Sequence, residues 1–131
     1  MKRFYMITLA ALCIFVGSAS AWASAPLVGV DWLLANGASD GRAIIDLRDR
    51  RAYLGAHIPG AVHTDYALDG WRVRHGGVDG LMPVAGKALA RLTGVIGKLG
   101  IDASTHVVLV APGWGPGDFG IATRLYWTFK V

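Results

Sequence analysis

Residues 43–64 read Ala43-Ile44-Ile45-Asp46-Leu47-Arg48-Asp49-Arg50-Arg51-Ala52-Tyr53-Leu54-Gly55-Ala56-His57-Ile58-Pro59-Gly60-Ala61-Val62-His63-Thr64. Ala43 to Leu47 is short, apolar and β-branched, which predicts a buried strand. Asp49 to Ala56 predicts a short helical segment. Ile58-Pro59-Gly60 predicts a tight turn, with Pro at its second position and Gly at its third. Ala61 to Thr64 predicts a second short strand.

The same alternation continues outward. Upstream, Asp31 to Asn36 predicts a short helix, with Asp31 as its cap and Gly37 after its end. Downstream, Asp65 to Met82 contains Gly70, Gly76, Gly77 and Gly80 and predicts a long irregular loop, of a kind that is functional or poorly ordered. Pro83 is expected to start the longest amphipathic helix. Val84, Ala88, Leu89, Leu92, Val95, Ile96 and Leu99 recur there at three- and four-residue steps, and Gly100 ends it. Val107 to Val110 is a fully apolar strand, and Pro112 to Gly117 is a Gly/Pro loop. Asp118 is expected to cap a last helix through Ile121, Ala122, Leu125, Tyr126 and Phe129.

Helices alternating with apolar strands predict a three-layer α/β/α domain with a central parallel sheet. Ligands in such folds sit beyond the carboxyl ends of the strands. That places candidate sites at Asp46 to Asp49, in the loop after Thr64, and above all in Ala111 to Gly117. The apolar run Trp127-Thr128-Phe129-Lys130-Val131 ends without a polar tail, so the domain is expected to be incomplete at its C-terminus.

Composition narrows the class. The chain has 131 residues, 53% of them hydrophobic, which excludes a disordered chain. Met1-Lys2-Arg3 is a basic head, Phe4 to Val16 an uncharged apolar run, and Ala21-Trp22-Ala23 a small-x-small site. This is the pattern of a cleaved secretory signal over residues 1–23, which predicts a periplasmic or secreted domain over residues 24–131. The membrane would then meet the chain only through the signal during export. An uncleaved anchor is the alternative, but a span needs about 20 apolar residues.

Without the signal, eleven basic residues face nine acidic ones, all Asp. No basic run remains to follow a phosphate backbone, which excludes nucleic acid as a partner. The single Cys, Cys13, lies inside the signal. Residues 24–131 therefore hold no thiol, no disulfide and no Cys-based metal cluster. Neither a metal nor a cofactor is expected.

Asp46-Leu47-Arg48, then Tyr53, then His57-Ile58-Pro59-Gly60-Ala61-Val62 resembles the N-terminal signature of the rhodanese superfamily of sulfurtransferases. Ala56 stands where that family often has Gly. Leu27 to Leu33 is similar to the opening of the two-domain thiosulfate/3-mercaptopyruvate type. Leu99-Gly100-Ile101-Asp102 and Val107 to Val110 resemble the approach to the active loop, and Arg124-Leu125-Tyr126-Trp127 the helix after it. The signature residues Asp46, Arg48, Tyr53, His57, Pro59 and Gly60 read as mainly structural. Asp46 can accept backbone N–H bonds, Arg48 can pair with a carboxylate, and His57 lies near a helix C-terminus, where an imidazolium is favoured.

The resemblance implies a Cys directly after the strand Val107 to Val110. That thiolate takes a sulfane sulfur as a persulfide and passes it to cyanide or another thiol, beside a loop of N–H groups that cradles the donor anion. Here the position is Ala111, which has no nucleophile. The anion-loop candidates are Pro112, Gly113, Trp114, Gly115, Gly117 and Asp118; the prolines remove two N–H donors. Asp118 reads as an N-cap rather than a catalytic acid, and Trp114 as either a lid or a packing residue. The missing Cys and the absence of a loop Arg also exclude the related phosphatases.

In two-domain members the first domain commonly lacks the Cys and lines an interdomain cleft. The expectation is an exported sulfurtransferase whose Cys and small anionic sulfur donor belong to a second domain. A stand-alone, inactive anion- or protein-binding module is the alternative, and a truncated, unstable product is the third reading. Trp71 to His75 could face an interdomain cleft, or form a solvated loop with one packed Trp.

Overall fold

The computed structural model describes residues 26–131, so the signal read over residues 1–23 lies outside the described residues. The centre of the sheet is β1 (Arg42–Asp46), paired in parallel with β2 (Val62–His63) on one side and β5 (His106–Val110) on the other. Ile45 stands opposite Val62 and Leu109, and Asp46 opposite His63 and Val110. With a neighbour on each edge and helices over both faces, β1 buries Ile44, Ile45 and Asp46 in succession. A continuous apolar run is what such a strand requires.

Side chains alternate between the two faces. Ile45 and Leu47 pack with Trp71, Leu92, Ile101 and Leu125 beneath α3 (Gly86–Lys98) and α4 (Pro116–Thr128). Ile44, Ala61 and Val108 face the other way, against Trp32 and Leu33 of α1 (Val30–Asn36) and Ile58 of the turn after α2 (Arg50–Gly55). The three-layer α/β/α arrangement is thus present. Arg42 closes the N-terminal edge. Its guanidinium lies 5.2 Å from the Trp32 ring centre and donates to the carbonyls of Asn36 and Gly37, at the end of α1.

Local signals set several of these elements. Asp49 caps α2, accepting the Ala52 N–H at 2.9 Å. Ile58 to Ala61 closes as a turn, with the Ala61 N–H donating to the Ile58 carbonyl at 2.9 Å. Gly60 has φ +78°, which the third position of a type II turn demands.

Four expectations need correction. The segment Asp65 to Met82 is not wholly irregular: β3 (Val73–His75) and β4 (Val78–Leu81) form an antiparallel hairpin. Gly76 and Gly77, both with positive φ, make its two-residue turn, which suits the twist of the flanking strands. The long helix begins at Gly86 rather than Pro83, because Ala85 is extended (φ −157°, ψ 165°). Val84 is 71% exposed and stays out of the apolar stripe. Asp31 lies in the first turn of α1 instead of capping it; Gly29 is the cap residue. Asp118 lies in the first turn of α4, where Gly115 takes the N-cap place.

Among the described residues, no helix is long and apolar enough to cross a membrane.

Gly60 gives a direct test of the turn. A Cβ there would meet the Ala38 Cβ at 2.5 Å, on a backbone that disfavours L side chains. Gly60→Ala is expected to destabilise the chain by about 2 kcal/mol, read as a lowered urea midpoint with an unchanged m-value.

Candidate functional site

The carboxyl ends of all three parallel strands meet at one edge. The Leu47 N–H donates to the Val110 carbonyl at 2.9 Å, and the Thr64 N–H to the Asp46 carbonyl at 3.2 Å. These bonds extend the ladder one residue beyond β1 and β2. Asp46, Thr64 and the start of the loop after β5 are therefore brought side by side.

Asp46 is buried with 1% of its surface exposed. Arg48 clamps it: Nε reaches Oδ1 and Oδ2 at 3.0 and 3.1 Å, Nη2 reaches Oδ2 at 2.7 Å, and the Arg48 N–H donates to Oδ1 at 3.0 Å. Arg48 Nη2 also donates to the Ala56 carbonyl at 2.6 Å, just past α2. Burial pushes the Asp46 carboxyl up. The Arg48 hydrogen bonds and positive charge outweigh that and hold it below the ordinary carboxylate value, with a smaller contribution from His63. With both oxygens engaged, Asp46 serves as a structural bolt.

Tyr53 and His57 belong to the same brace. Tyr53 OH donates to the Ala61 carbonyl at 3.0 Å, and the His57 ring stacks on Tyr53 at 4.1 Å between centres. His57 Nδ1 lies 2.9 Å from the Tyr53 carbonyl, near the end of α2, and His63 Nε2 lies 2.9 Å from the Arg48 carbonyl. Among the described residues, no hydrogen bond links this brace to the loop after β5. The signature residues and the anion-loop candidates thus lie at one edge but hold separate hydrogen-bond networks.

That loop starts at Ala111, half-buried directly after β5. Gly113 has φ +80°, and Trp114 is 91% exposed. Gly115 precedes Pro116, the first residue of α4, where the missing N–H costs no helical bond. Asp118 turns back from the first helical turn: its Oδ2 accepts the Trp114 N–H at 2.9 Å and the Gly115 N–H at 3.2 Å. Because Gly115 has no side chain, this is the carboxylate half of a capping box. The contact has a chemical consequence. Two of the backbone donors that could hold an external anion are already bound to an internal one, and Pro112 and Pro116 contribute none.

A second network spans the bend after β2. Trp71 Nε1 donates to Thr64 Oγ1 at 2.8 Å, and Thr64 Oγ1 donates to Asp69 Oδ2 at 2.8 Å. Asp69 Oδ2 also accepts the Asp65 N–H at 2.7 Å. The chain crosses the bend after β2 and anchors Trp71 in the core. Spacing gives no sign of it, since the three side chains converge only once the bend has formed.

The parallel sheet, the Asp46–Arg48 clamp and the loop after β5 define an α/β domain with its candidate site at the strand carboxyl ends. The rhodanese-like domain family matches residues 29–114, from the cap of α1 to the loop. The chain belongs to that family. No curated protein and no solved structure matches it.

The clamp predicts a pH effect. A carboxyl lowered in the folded state contributes stability above its unfolded pKa of about 3.9, and the contribution is lost as pH falls through the folded value. Exposed Asp102, held low by Ser104 and Thr105, acts in the same direction. Urea midpoints are expected to drop below about pH 4. Asp46→Asn is expected to cost about 3 kcal/mol at pH 7 and to show a shallower acid drop.

The loop predicts a reactivity. Ala111→Cys alone is expected to give a thiol near the ordinary pKa of about 8.5, because Asp118 occupies the neighbouring amides. Adding Asp118→Ala is expected to lower it by about one unit, seen as faster alkylation by iodoacetamide near neutral pH.

Proposed function

We propose that this chain is the cysteine-free domain of an exported sulfurtransferase. The persulfide-forming thiolate stands on another domain, and this domain braces the reaction cleft. The observation that carries the reading is Ala111: it occupies the first position after β5, where the family chemistry needs a nucleophile. Membership in the rhodanese-like family supplies the reaction class. The basic, apolar and small-residue pattern of residues 1–23 supports export. The donor is a small sulfane-sulfur anion of the thiosulfate or mercaptopyruvate kind, held by the domain that carries the thiol.

A second reading has one specific observation behind it. Trp114 is 91% exposed while its backbone is tied down by Asp118. A pre-positioned aromatic of this kind suits a protein contact. On that reading the domain is an inactive binding module.

Two measurements separate the readings. Purified residues 24–131 are expected to show no thiosulfate-to-cyanide sulfur transfer, and thiol-dependent turnover by that chain would overturn the proposal. The intact mass of the native protein from its source is expected at about two to three times that of residues 24–131, as two domains imply. A species near the mass of residues 24–131 alone would favour the binding module.

A further inference from the structure

Four dipeptides have the form in which a side-chain carbonyl carbon can react with the next backbone nitrogen: Asn36-Gly37, Asp40-Gly41, Asp69-Gly70 and Asp79-Gly80. Glycine puts no Cβ in the way of that attack. Residue type alone ranks Asn36 first, because an amide loses ammonia more readily than a carboxyl loses water. The fold reverses the order.

Asn36 is shielded in the last turn of α1. Its Nδ2 donates to the Trp32 carbonyl at 2.8 Å, and the Gly37 N–H donates to the Leu33 carbonyl at 2.7 Å, so each reacting group is held by another partner. Asp69 is engaged in the same way, its Oδ2 taken by Thr64 Oγ1 and the Asp65 N–H. Asp40 is exposed, but among the described residues its carboxylate has no hydrogen bond with the Gly41 N–H.

Asp79 differs. β3 and β4 pair Val73 with Leu81 and His75 with Val78, so Asp79 and Gly80 together stand opposite Arg74 alone. Such a β-bulge leaves backbone groups outside the ladder. The Gly80 N–H turns instead to the carboxylate of the residue before it, Oδ1 of Asp79, at 2.7 Å. Asp79 Cγ is one C–O bond from that oxygen, which puts it within about 4 Å of the Gly80 nitrogen. Reacting atoms about 3–3.5 Å apart are poised for ring closure. Arg72 Nη1 holds the other oxygen, Oδ2, at 2.9 Å and keeps the carboxyl from rotating away. The Asp79 side chain is 48% exposed, so water reaches it.

We propose that Asp79 is a modification site, at which aspartate isomerises to isoaspartate through a succinimide closed with Gly80. The neutral acid reacts. Gly80 N gives up its proton and bonds to Cγ, the Cγ–OH bond breaks, and one water leaves. Water then adds to the imide: opening at Cγ restores aspartate, and opening at the main-chain carbonyl gives isoaspartate. One water is lost and one regained, so no further reactant is needed and the mass is unchanged. The product lengthens the backbone by a methylene just before Gly80, whose carbonyl accepts from Arg124 Nη1 at 2.6 Å. The modification therefore loosens the clip that joins the hairpin to α4. Sulfur transfer does not enter the argument, so the site stands or falls independently of the proposed function.

The test is to age the full chain at near-neutral pH, folded and in guanidinium chloride at the same temperature. Both samples are then digested, and isoaspartate at each site is measured by electron-transfer mass spectrometry. In the folded chain, isoaspartate is expected to form about tenfold faster at Asp79 than at Asp40. In guanidinium chloride the bulge is gone, and the two rates are expected to converge. Asp40 keeping pace with Asp79 in the folded chain would overturn the proposal. So would an Asp79 lead that persists undiminished in the denaturant, since it would then come from the local sequence rather than the bulge.

Discussion

Asp46 ends the central strand with a carboxylate that has almost no access to water. An isolated buried charge of this kind costs several kcal/mol and would neutralise or unfold the segment. The fold answers with Arg48, two residues on, whose guanidinium and backbone N–H together engage both oxygens. The same guanidinium holds the Ala56 carbonyl, and the Arg48 carbonyl meets His63. One ion pair thus ties β1, the exit of α2 and β2 into a single corner. Satisfying the buried carboxylate and positioning the crossover are the same event.

That corner explains why the signature is compact in sequence. Each member serves a neighbour close along the chain: Arg48 reaches Asp46 and Ala56, Tyr53 reaches Ala61, and Pro59-Gly60 turns the chain into β2. Among the described residues, none of these groups has a hydrogen bond to the loop after β5. The loop solves a different problem, the orphan N–H groups at the start of α4, and solves it with its own carboxylate. Asp118 does for Trp114 and Gly115 what a bound anion does at an open helix N-terminus. Ala111 offers no nucleophile after β5, and Asp118 occupies the neighbouring amides, so the two features of this edge agree with the proposed reading of a cysteine-free domain.

Much of this is legible in the sequence. The apolar runs over β1 and β5, the short helix after Asp49, the Pro59-Gly60 turn and the stripe Leu92, Val95, Ile96 and Leu99 carry strong local signals, and each is present. The hairpin β3–β4 was less legible because its strands are short and mostly exposed, so alternation of apolar residues could not mark them. Gly76-Gly77 was its one available signal. Pro83 does not mark the start of α3 because Pro is a permissive signal there: it tolerates the first turn without compelling it.

The layer order, the parallel pairing of the apolar strands and the absence of a thiol after β5 are written in the chain itself. These follow from residue type and periodicity along one stretch of chain. Where the donors and charges of the site are spent depends on packing. Asp118 turns back on Trp114 and Gly115, Thr64 bridges Asp69 to Trp71, and Arg124 crosses to Gly80. Hydrogen bonds saturate their partners over about 3 Å, so which donor is free depends on side chains brought together by packing. No periodicity along the chain encodes that outcome.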